Sequence, residues 1–357
     1  MTDFVEIDFL AVETAKSGDA ISIRYSINGK EEVHVVDGGF LDTGEKLVEH
    51  IKIHYQTEYV NHVVLTHTDQ DHVNGLRMVL VHCDVGCLWM NRPWLYADEL
   101  IARFKTYNSV DALRRHLRSV YAAAANLEEQ ALEKGIPILS ALQGTRIGAF
   151  TVMAPSKQRY LDLIVESEKT PAAVEDSRAD SIGRYFADAT KAVANLVRAA
   201  WAQEYFPLQG TSSENEMSVI QFANICNKQI LLSGDAGRDG LSEAADYAAV
   251  LGIQTPGLWM FQVPHHGGRH NVNTDVLDRW LGERTSIPPA STSFNALCSS
   301  AKADEHHPKK SVIRSIHHRG GHFAATEGKN LHLAVGISRE GWTPVPQWPY
   351  PEEQEED

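Results

Sequence analysis

The sequence predicts an α/β protein in which two β-rich halves flank a mainly helical insertion. Three observations lead to this prediction. Short apolar runs separated by turn residues open the chain, and strand-like and helix-like segments then alternate as far as residue 91. Apolar residues at three- and four-residue spacing dominate residues 157–205. Strand-like runs resume at residue 216 and continue almost to the C-terminus.

The first half begins as a β-meander. Its runs VEIDFLAVE, DAISIRYSI and EEVHVVDGG are separated by turn residues, and Asn28-Gly29 is a dipeptide that favours a tight hairpin. Helical spacing through residues 94–134 ends at Gly135, a residue common just past a helix end. Between them the pattern predicts a helix over 43–56, a strand over 59–66, a helix over 73–82 and a strand over 86–91.

The second half repeats this alternation. The runs EMSVIQFA, KQILLSGDAG, LWMFQVPHHGG and KNLHLAVGI predict strands, with helices at residues 240–251 and 274–282. The charged, alanine-rich stretch before them indicates a helical insertion or lid over residues 157–207 more than a separate domain. We therefore expect one domain over residues 1–350 and a disordered acidic tail over residues 351–357.

Composition and net charge limit the classes of protein to which this chain can belong. The chain is 43% hydrophobic and 22% charged, as in ordinary globular proteins, and no apolar stretch approaches the roughly 20 residues of a membrane span. The N-terminus lacks the pattern of a signal peptide, so we expect a cytoplasmic protein with no membrane contact. A net charge of −14 argues against a broad nucleic-acid surface, although it leaves a local basic groove possible.

The stretch LTHTDQDHVNG, residues 65–75, concentrates His67, Asp69, Asp71 and His72 where a strand gives way to a helix. Such crowding of imidazoles and carboxylates is favourable when divalent cations bind them, because both are good ligands for transition metals. The alternative is an exposed turn in which one Asp caps the following helix, but capping explains one residue of the four.

With these residues the sequence resembles the metallo-β-lactamase-fold hydrolases, whose signature is His-x-His-x-Asp-His after a strand. Here Asp69 stands where the second His is usual, as in the hydrolase domain of bacterial competence (DNA-uptake) channel proteins and their stand-alone relatives. The runs VVDGG, NEMSVIQF, ILLSGDAG and VPHHGG are similar to further family elements in the same order. The resemblance implies an αββα sandwich, here with a helical insertion, and two bound divalent metal ions.

The resemblance also implies roles for individual residues. The metal ligands would be His67, Asp69, Asp71, His72, Asp235 and His265, with Asp235 bridging the two ions. His266 would act in catalysis beside His265, together with Asp71, and Asp37 would orient the ligands from below. Taken alone, Asp235 fits an ordinary β-turn equally well, and the paired histidines fit a turn in which they are hydrogen-bonded.

Two further positions bear on the match with the family. The family supplies a further His in the middle of the chain, but no histidine occurs between His116 and His265. Asn215 is the candidate replacement, among other oxygen donors nearby. His307 matches a late His-Pro element and is a candidate for substrate contact, while Pro308 after it also suits the start of a surface helix.

The ligand chemistry indicates a hydrolase. Two divalent ions can lower the pKa of water and position a bridging hydroxide as the nucleophile. The oxygen of Asp69 shifts the preference from zinc towards manganese, and either metal remains open. The resemblance favours phosphodiester substrates, either a short nucleic acid or a small nucleotide. The alternatives are a hydrolase of a small lactam, lactone or thioester, and a metal-bearing component of a multi-protein bacterial system that binds a protein partner through the insertion.

Overall fold

Two β-sheets form the centre of the protein, each with seven strands. The computed structural model describes residues 2–170 and 195–356. Apolar side chains from both sheets, such as Ile23 and Val36 from the first and Val152 and Leu232 from the second, form one buried cluster. The two sheets therefore pack face to face, and their shared interior is the middle of the fold.

The first sheet has the strand order β15-β1-β2-β3-β4-β5-β6. Its strands are β1 (Phe4–Phe9), β2 (Ala20–Ile27), β3 (Lys30–Gly38), β4 (Tyr59–Val64), β5 (Asp84–Trp89), β6 (Ile138–Leu139) and β15 (Leu331–Val335). The first three strands are antiparallel neighbours, as the meander pattern predicted, whereas β3 to β6 run parallel. Parallel strands need crossover connections, and helices supply them between β3, β4 and β5.

The second sheet has the strand order β14-β13-β12-β11-β10-β8-β7. Its strands are β7 (Arg146–Ile147), β8 (Phe150–Ala154), β10 (Ile220–Ile225), β11 (Lys228–Leu232), β12 (Leu258–Gln262), β13 (Phe294–Cys298) and β14 (Gly321–Ala325). The four strands from β11 to β14 are parallel. Their carboxyl ends therefore lie at one edge of this sheet.

Helices cover the outer face of each sheet. Over the first sheet lie α1 (Leu41–His50), α2 (Gln70–Val73), α3 (Leu76–His82), α4 (Ala97–Leu100), α5 (Val110–Val120), α6 (Ala122–Glu133) and α7 (Lys157–Glu166). The others are α8 (Ser213–Glu216), α9 (Arg238–Val250), α10 (Thr274–Leu281) and α11 (Lys310–His318). Apolar residues of α9, α10 and α11 form the core against the second sheet. The layers are thus helices, sheet, sheet and helices.

Short helical turns complete the described elements. A π-helical turn, Ile51–Tyr55, continues α1, and 3₁₀ turns occur at Pro93–Tyr96, Ile101–Arg103 and His265–Gly267. No helix in the described ranges is long and apolar enough to cross a membrane.

The insertion and the tail depart from the sequence prediction. Residues 157–166 are helical as predicted, but Asn195–Arg198 forms a strand, β9, and the residues after it up to 207 are not helical. The acidic tail was predicted to be disordered, yet Glu353–Glu356 forms strand β16, which pairs antiparallel with β9. Residues 171–194, the middle of the predicted insertion, lie outside the described residues.

Long-range contacts explain why the tail is ordered. The carboxylate of Glu355 accepts hydrogen bonds of 3.0 Å from the backbone amides of Lys310 and Ser311, which would otherwise be unpaired donors at the start of α11. The guanidinium of Arg314 donates to the carbonyls of Ala199 and Pro351, so it holds β9 and the tail together. Since every partner is distant in sequence, composition alone could not reveal these contacts.

Candidate metal centre

The strand ends bring the predicted ligands together. His67 lies in the loop that follows β4, and α2 carries Asp71 and His72. Asp235 follows β11, and His266 follows β12. Because these strands end at the same side of the two sheets, the loops after them meet. The amide of Val219 donates to the carbonyl of Thr66 at 3.1 Å and joins the two sheets at this edge.

The carboxylate of Asp235 lies at the centre of this group. Its Oδ2 is 3.4 Å from His72 Nε2 and 3.7 Å from His67 Nε2. Its Oδ1 is 3.9 Å from His266 Nε2, which is in turn 3.7 Å from Asp71 Oδ2. Three overlapping sets of residues, one of which adds Asp19, each bring one ligand atom per residue close enough together to hold a metal ion. They are His67, His72 and Asp235; Asp71, His72 and His266; and Asp19, Asp235 and His266.

The atoms that face one another in this group lack protein partners. Among the described residues, Nε2 of His67, His72 and His266 and Oδ1 of Asp235 are buried without a hydrogen bond. An unpaired buried polar atom is costly, and four of them around one point are unusual in a folded protein. Cations bound between them would satisfy all four, so the residues present fit a divalent metal centre.

The other ring nitrogens are held by acceptors, which sets the tautomers. His72 Nδ1 donates to Asp37 Oδ2 at 2.7 Å, and His266 Nδ1 donates to the carbonyl of Ser299 at 2.9 Å. Asp37 is fully buried and also accepts from the backbone amide and the hydroxyl of Thr66, at 2.9 and 2.6 Å. With Nδ1 engaged, each neutral ring directs the lone pair of Nε2 into the centre, as metal binding requires. Asp37 thus holds the His72 ring through Nδ1.

The electrostatics of the centre favour added positive charge. Burial by itself lowers the pKa of His266, but the carboxylates of Asp235 and Asp71 raise it to about 9. Burial also opposes protonation of His72, yet Asp235 and Asp37 hold its pKa well above the ordinary value. Clustered carboxylates that draw protons onto buried imidazoles provide the same attraction for a divalent cation, which would displace those protons.

Asp19 belongs to this centre but was missed in the sequence analysis. Its carboxylate is buried beside Asp235 and His266 and accepts from Gln262 Nε2 at 2.9 Å. Burial raises the pKa of Asp19 to about 6, and the carboxylate of Asp235 adds to that effect. One sequence signal was available, because the tripeptide Gly-Asp-Ala occurs both at residues 18–20 and at residues 234–236.

Asp69 stands at the edge of the centre. Its Oδ2 is 3.9 Å from His67 Nε2, but its Oδ1 is 2.7 Å from the ammonium of Lys169. Its side chain is about one-third exposed. Lys169 lies just after α7, within the predicted insertion, and no sequence motif marked it. Asp69 is therefore placed to bind a metal ion on the His67 side only if the ammonium shifts.

The two adjacent histidines differ in burial and in partners. His266 is buried in the centre, whereas His265 is 30% exposed and has its Nε2 3.8 Å from Asp235 Oδ2. His265 Nδ1 is held by the side chains of Asn215 at 3.1 Å and Asn271 at 2.9 Å. Asn215, the candidate replacement ligand, therefore contacts a histidine and not the centre itself. Both histidines have left-handed backbone, with φ of 46° and 54°, which decides where each ring points.

The layers and the position of the centre together define the architecture. Two mixed sheets pack face to face between helices, and the His/Asp cluster lies where their strands end. The chain has the metallo-β-lactamase fold. The αββα sandwich predicted from the sequence is confirmed.

No protein-family model and no curated protein sequence matches the chain. Among solved structures it is similar to CmlA, a diiron β-hydroxylase from Streptomyces venezuelae, with 11% identity, a TM-score of 0.40 and coverage of 93% of this chain and 54% of that one. A diphosphatase of the PhnP family is similar with 9% identity, a TM-score of 0.38 and coverage of 92% and 97%. A protein described as a metallo-β-lactamase from Thermotoga maritima has 10% identity, a TM-score of 0.31 and coverage of 70% and 86%.

These similarities are distant, and the chain spans only about half the length of CmlA. The activity of none of the three proteins carries over to this chain. None of the three is described as a competence channel protein, so that closer relationship rests on the sequence motifs alone.

A cleft of about 450 Å³ opens beside the His/Asp cluster. Asp69 and His265 form its inner wall, and several basic or polar side chains line the rest, including Thr211, Arg269, His270, His307 and Lys309. The His307 ring lies 5.3 Å from the His265 ring and 6.1 Å from the His266 ring, between ring centres. The cleft is thus richer in positive than in negative side chains, although the whole chain has a net charge of −14.

Proposed function

We propose that the protein is a dinuclear metal-dependent hydrolase that cleaves phosphodiester bonds in a small substrate. One observation carries the proposal: four buried ligand atoms without protein partners in the described residues converge around Asp235, next to a basic cleft that Asp69 and His265 line. The convergence supports metal binding, and the basic lining supports an anionic substrate.

The ligands would divide into two groups that share the carboxylate of Asp235. One group comprises Asp71, His72 and His266, and the other comprises His67 and Asp69. When bound there, two divalent ions lower the pKa of water and offset the charge that develops on the attacked phosphorus oxygens. The mixture of imidazole and carboxylate ligands suits zinc or manganese, and the oxygen of Asp69 favours manganese on its side.

The chain's own residues would orient and protonate the substrate. Asn271 accepts from His265 Nδ1, which leaves His265 Nε2 facing the cleft beside Asp235. His265 is therefore placed to contact a phosphoryl oxygen or to transfer a proton to the leaving alcohol. This is the catalytic role that the sequence analysis gave to His266, now assigned to the neighbouring histidine because His266 is turned into the metal centre.

The basic side chains of the cleft would bind the phosphate group. Arg269, His270 and Lys309 lie along its wall, and each can donate to an anionic oxygen. The net charge of −14 opposes a long polyanion, since each added phosphate outside the cleft meets an acidic surface. A small phosphodiester or a short strand end is therefore preferred over long DNA.

The test is hydrolysis by metal-stripped protein that is refilled with manganese or zinc. The substrates are bis(p-nitrophenyl) phosphate and a labelled short single-stranded DNA. We expect turnover of the chromogenic diester by the refilled wild type, loss of turnover in Asp71→Ala, and normal turnover in Asp42→Ala. Asp42 is the control because it is an exposed carboxylate on α1 that belongs to none of the candidate metal-binding groups.

Absence of turnover with two metal ions demonstrably bound would overturn the phosphodiesterase proposal. The same refilled protein would then be assayed against a lactam, a lactone and a thioester, the alternative substrates of the sequence analysis. Lack of activity on all of them would favour a metal-bearing component that acts with a protein partner. The predicted partner surface on the insertion falls partly on residues 171–194, outside the described part of the chain.

A further inference from the structure

A second cavity adjoins the basic cleft and differs from it in character. We call it the aromatic groove; it has a volume of about 480 Å³ and is lined mainly by Ile313, Glu327, Trp348, Tyr350, Glu352 and Glu353. Two prolines, Pro349 and Pro351, alternate with the aromatic residues and present further apolar surface. The groove is formed by the ordered C-terminal segment against the start of α11.

The two cavities meet at one residue. His307 lines both the basic cleft and the aromatic groove, and its ring packs against the ring of His265 at 5.3 Å between centres. Beyond His307 the two cavities have different linings: Lys309 lines the cleft and Lys310 lines the groove. A substrate whose phosphate lies beside His265 can therefore extend past His307 into the groove.

The linings of the two cavities differ in charge. The groove lining contains three glutamates against one lysine, Lys310, whose ammonium is 3.8 Å from the carboxylate of Glu353. Glu352 is 3.7 Å from Arg198, but both side chains are about four-fifths exposed, so this pair is worth little. Anionic groups are thus favoured in the cleft and disfavoured in the groove. The Tyr350 ring is already packed against Arg314 and Trp201. The half-buried Trp348, the prolines and the nearby carboxylates of the groove remain to contact flat apolar groups and organic cations.

We propose that the aromatic groove binds the second substituent of the phosphodiester and selects a compact organic group without negative charge. The inference rests on the proposed function and narrows it, because a nucleic-acid strand would place its next phosphate among the glutamates. The substrate class is then a small phosphodiester with an aromatic or alkylammonium substituent, and not an oligonucleotide.

Three diesters with one common leaving group test the selection. They are p-nitrophenyl phosphorylcholine, p-nitrophenyl thymidine 5′-phosphate, and the same thymidine ester with a second phosphate on its 3′-oxygen. We expect kcat/KM to be at least about tenfold higher for the first two than for the third, which is the size of effect that a like charge nearby produces. A preference for the substrate with the additional phosphate, or equal rates on all three, would overturn the inference.

Charge reversal at Glu352 shows whether the groove causes the preference. Glu352 is exposed and has only the loose contact to Arg198, so Glu352→Lys leaves the fold intact. We expect this variant to reduce the discrimination against the 3′-phosphate by about fivefold, which corresponds to roughly 1 kcal/mol. Glu356→Lys is the matched control, since Glu356 is an exposed carboxylate of the adjoining strand β16 that does not line the groove. Equal effects of the two substitutions would contradict the assignment.

Binding measurements separate failure of the groove from failure of the proposed function. Phosphorylcholine and inorganic phosphate would be titrated by calorimetry into metal-loaded wild-type and Glu352→Lys protein. If no diester is hydrolysed but phosphorylcholine binding alone weakens about fivefold in the variant, the groove assignment stands and the phosphodiesterase proposal falls. If the diesters are hydrolysed at equal rates by both proteins, the groove assignment falls and the phosphodiesterase proposal stands.

Discussion

Replacement of Asp37 by Asn changes few atoms but should lower the metal affinity of the protein strongly. Asp37 Oδ2 accepts from both the Thr66 hydroxyl and His72 Nδ1, and Oδ1 accepts from the Thr66 amide. An Asn side chain has one acceptor oxygen and one amino group, so it cannot reproduce this pattern in either orientation. If the amino group of the introduced Asn faces the backbone amide of Thr66, two donors face each other. If it faces His72 instead, Nδ1 of the imidazole must accept, so the ring proton must move to Nε2.

The magnitude follows from these contacts. A buried donor left without an acceptor costs about 1–3 kcal/mol in the free energy of unfolding. Loss of the group that orients a metal-binding imidazole typically lowers metal affinity by roughly 10- to 100-fold. We therefore expect Asp37→Asn to show both effects, measured by urea unfolding and by zinc titration against a fluorescent chelator.

A buried aspartate elsewhere provides the control. Asp8 is also fully buried and lies outside the centre around Asp235. It is close to Glu6 and His332, but the guanidinium of Arg339 already provides the positive charge there by donating to Glu6 and Asp8. Asp8→Asn should lower the free energy of unfolding without changing zinc affinity in the folded protein. Unchanged zinc affinity in Asp37→Asn, or an equal loss in Asp8→Asn, would refute the argument that Asp37 acts through His72.

Three further predictions address other parts of the structure. Lys169→Met should raise KM for a phosphodiester by about fivefold, or roughly 1 kcal/mol, because the Lys169 ammonium lies beside the cleft at Asp69. Lys157→Met, on the helix before it, is the control and should leave KM unchanged. Equal KM values in the two variants would contradict the placement of Lys169. His266→Gln should lose bound metal by elemental analysis, while His265→Gln should keep its metal and lower kcat by roughly 100-fold; a reversed result would restore the assignment made from the sequence. Burial raises the pKa of Glu204, but the imidazole of His318 and the guanidinium of Arg319 lower it below the ordinary value. The ionised Glu204 therefore contributes its full stabilisation of the fold above the pKa of about 4 in unfolded chains. This contribution is lost as the pH falls through the lower pKa of the folded state. Urea unfolding of Glu204→Gln should accordingly show a weaker decline in stability below pH 5 than the wild type, and parallel curves would rule out this contribution.

The departures from the sequence prediction share one cause. The acidic tail was expected to be disordered because its composition offers no apolar face, yet Glu355 pairs with the amides that begin α11. Likewise, residues 195–198 lie in a region with helical spacing but form a strand, because the tail supplies a partner strand. In both places a contact distant in sequence outweighed the local preference.

The sequence by itself determined the alternation of strands and helices, the two β-rich halves and the short segments that carry the ligands. Apolar periodicity reports which face of each element is buried, and residues such as His67, Asp71 and Asp235 directly follow or flank strands, so their meeting at one edge could be expected. These properties are local, and local sequence encodes them.

Only the tertiary structure decided which of two adjacent histidines enters the centre and which other residues join it. The ring of His266 turns inward because both histidines adopt left-handed backbone and because Ser299, distant in sequence, accepts its Nδ1 proton. Asp19 joins the centre from the start of β2, and Lys169 pairs with Asp69 at the edge of the centre from within the predicted insertion. Side-chain direction depends on backbone dihedral angles and on partners from other elements, and neither is encoded in the spacing of residues along the chain.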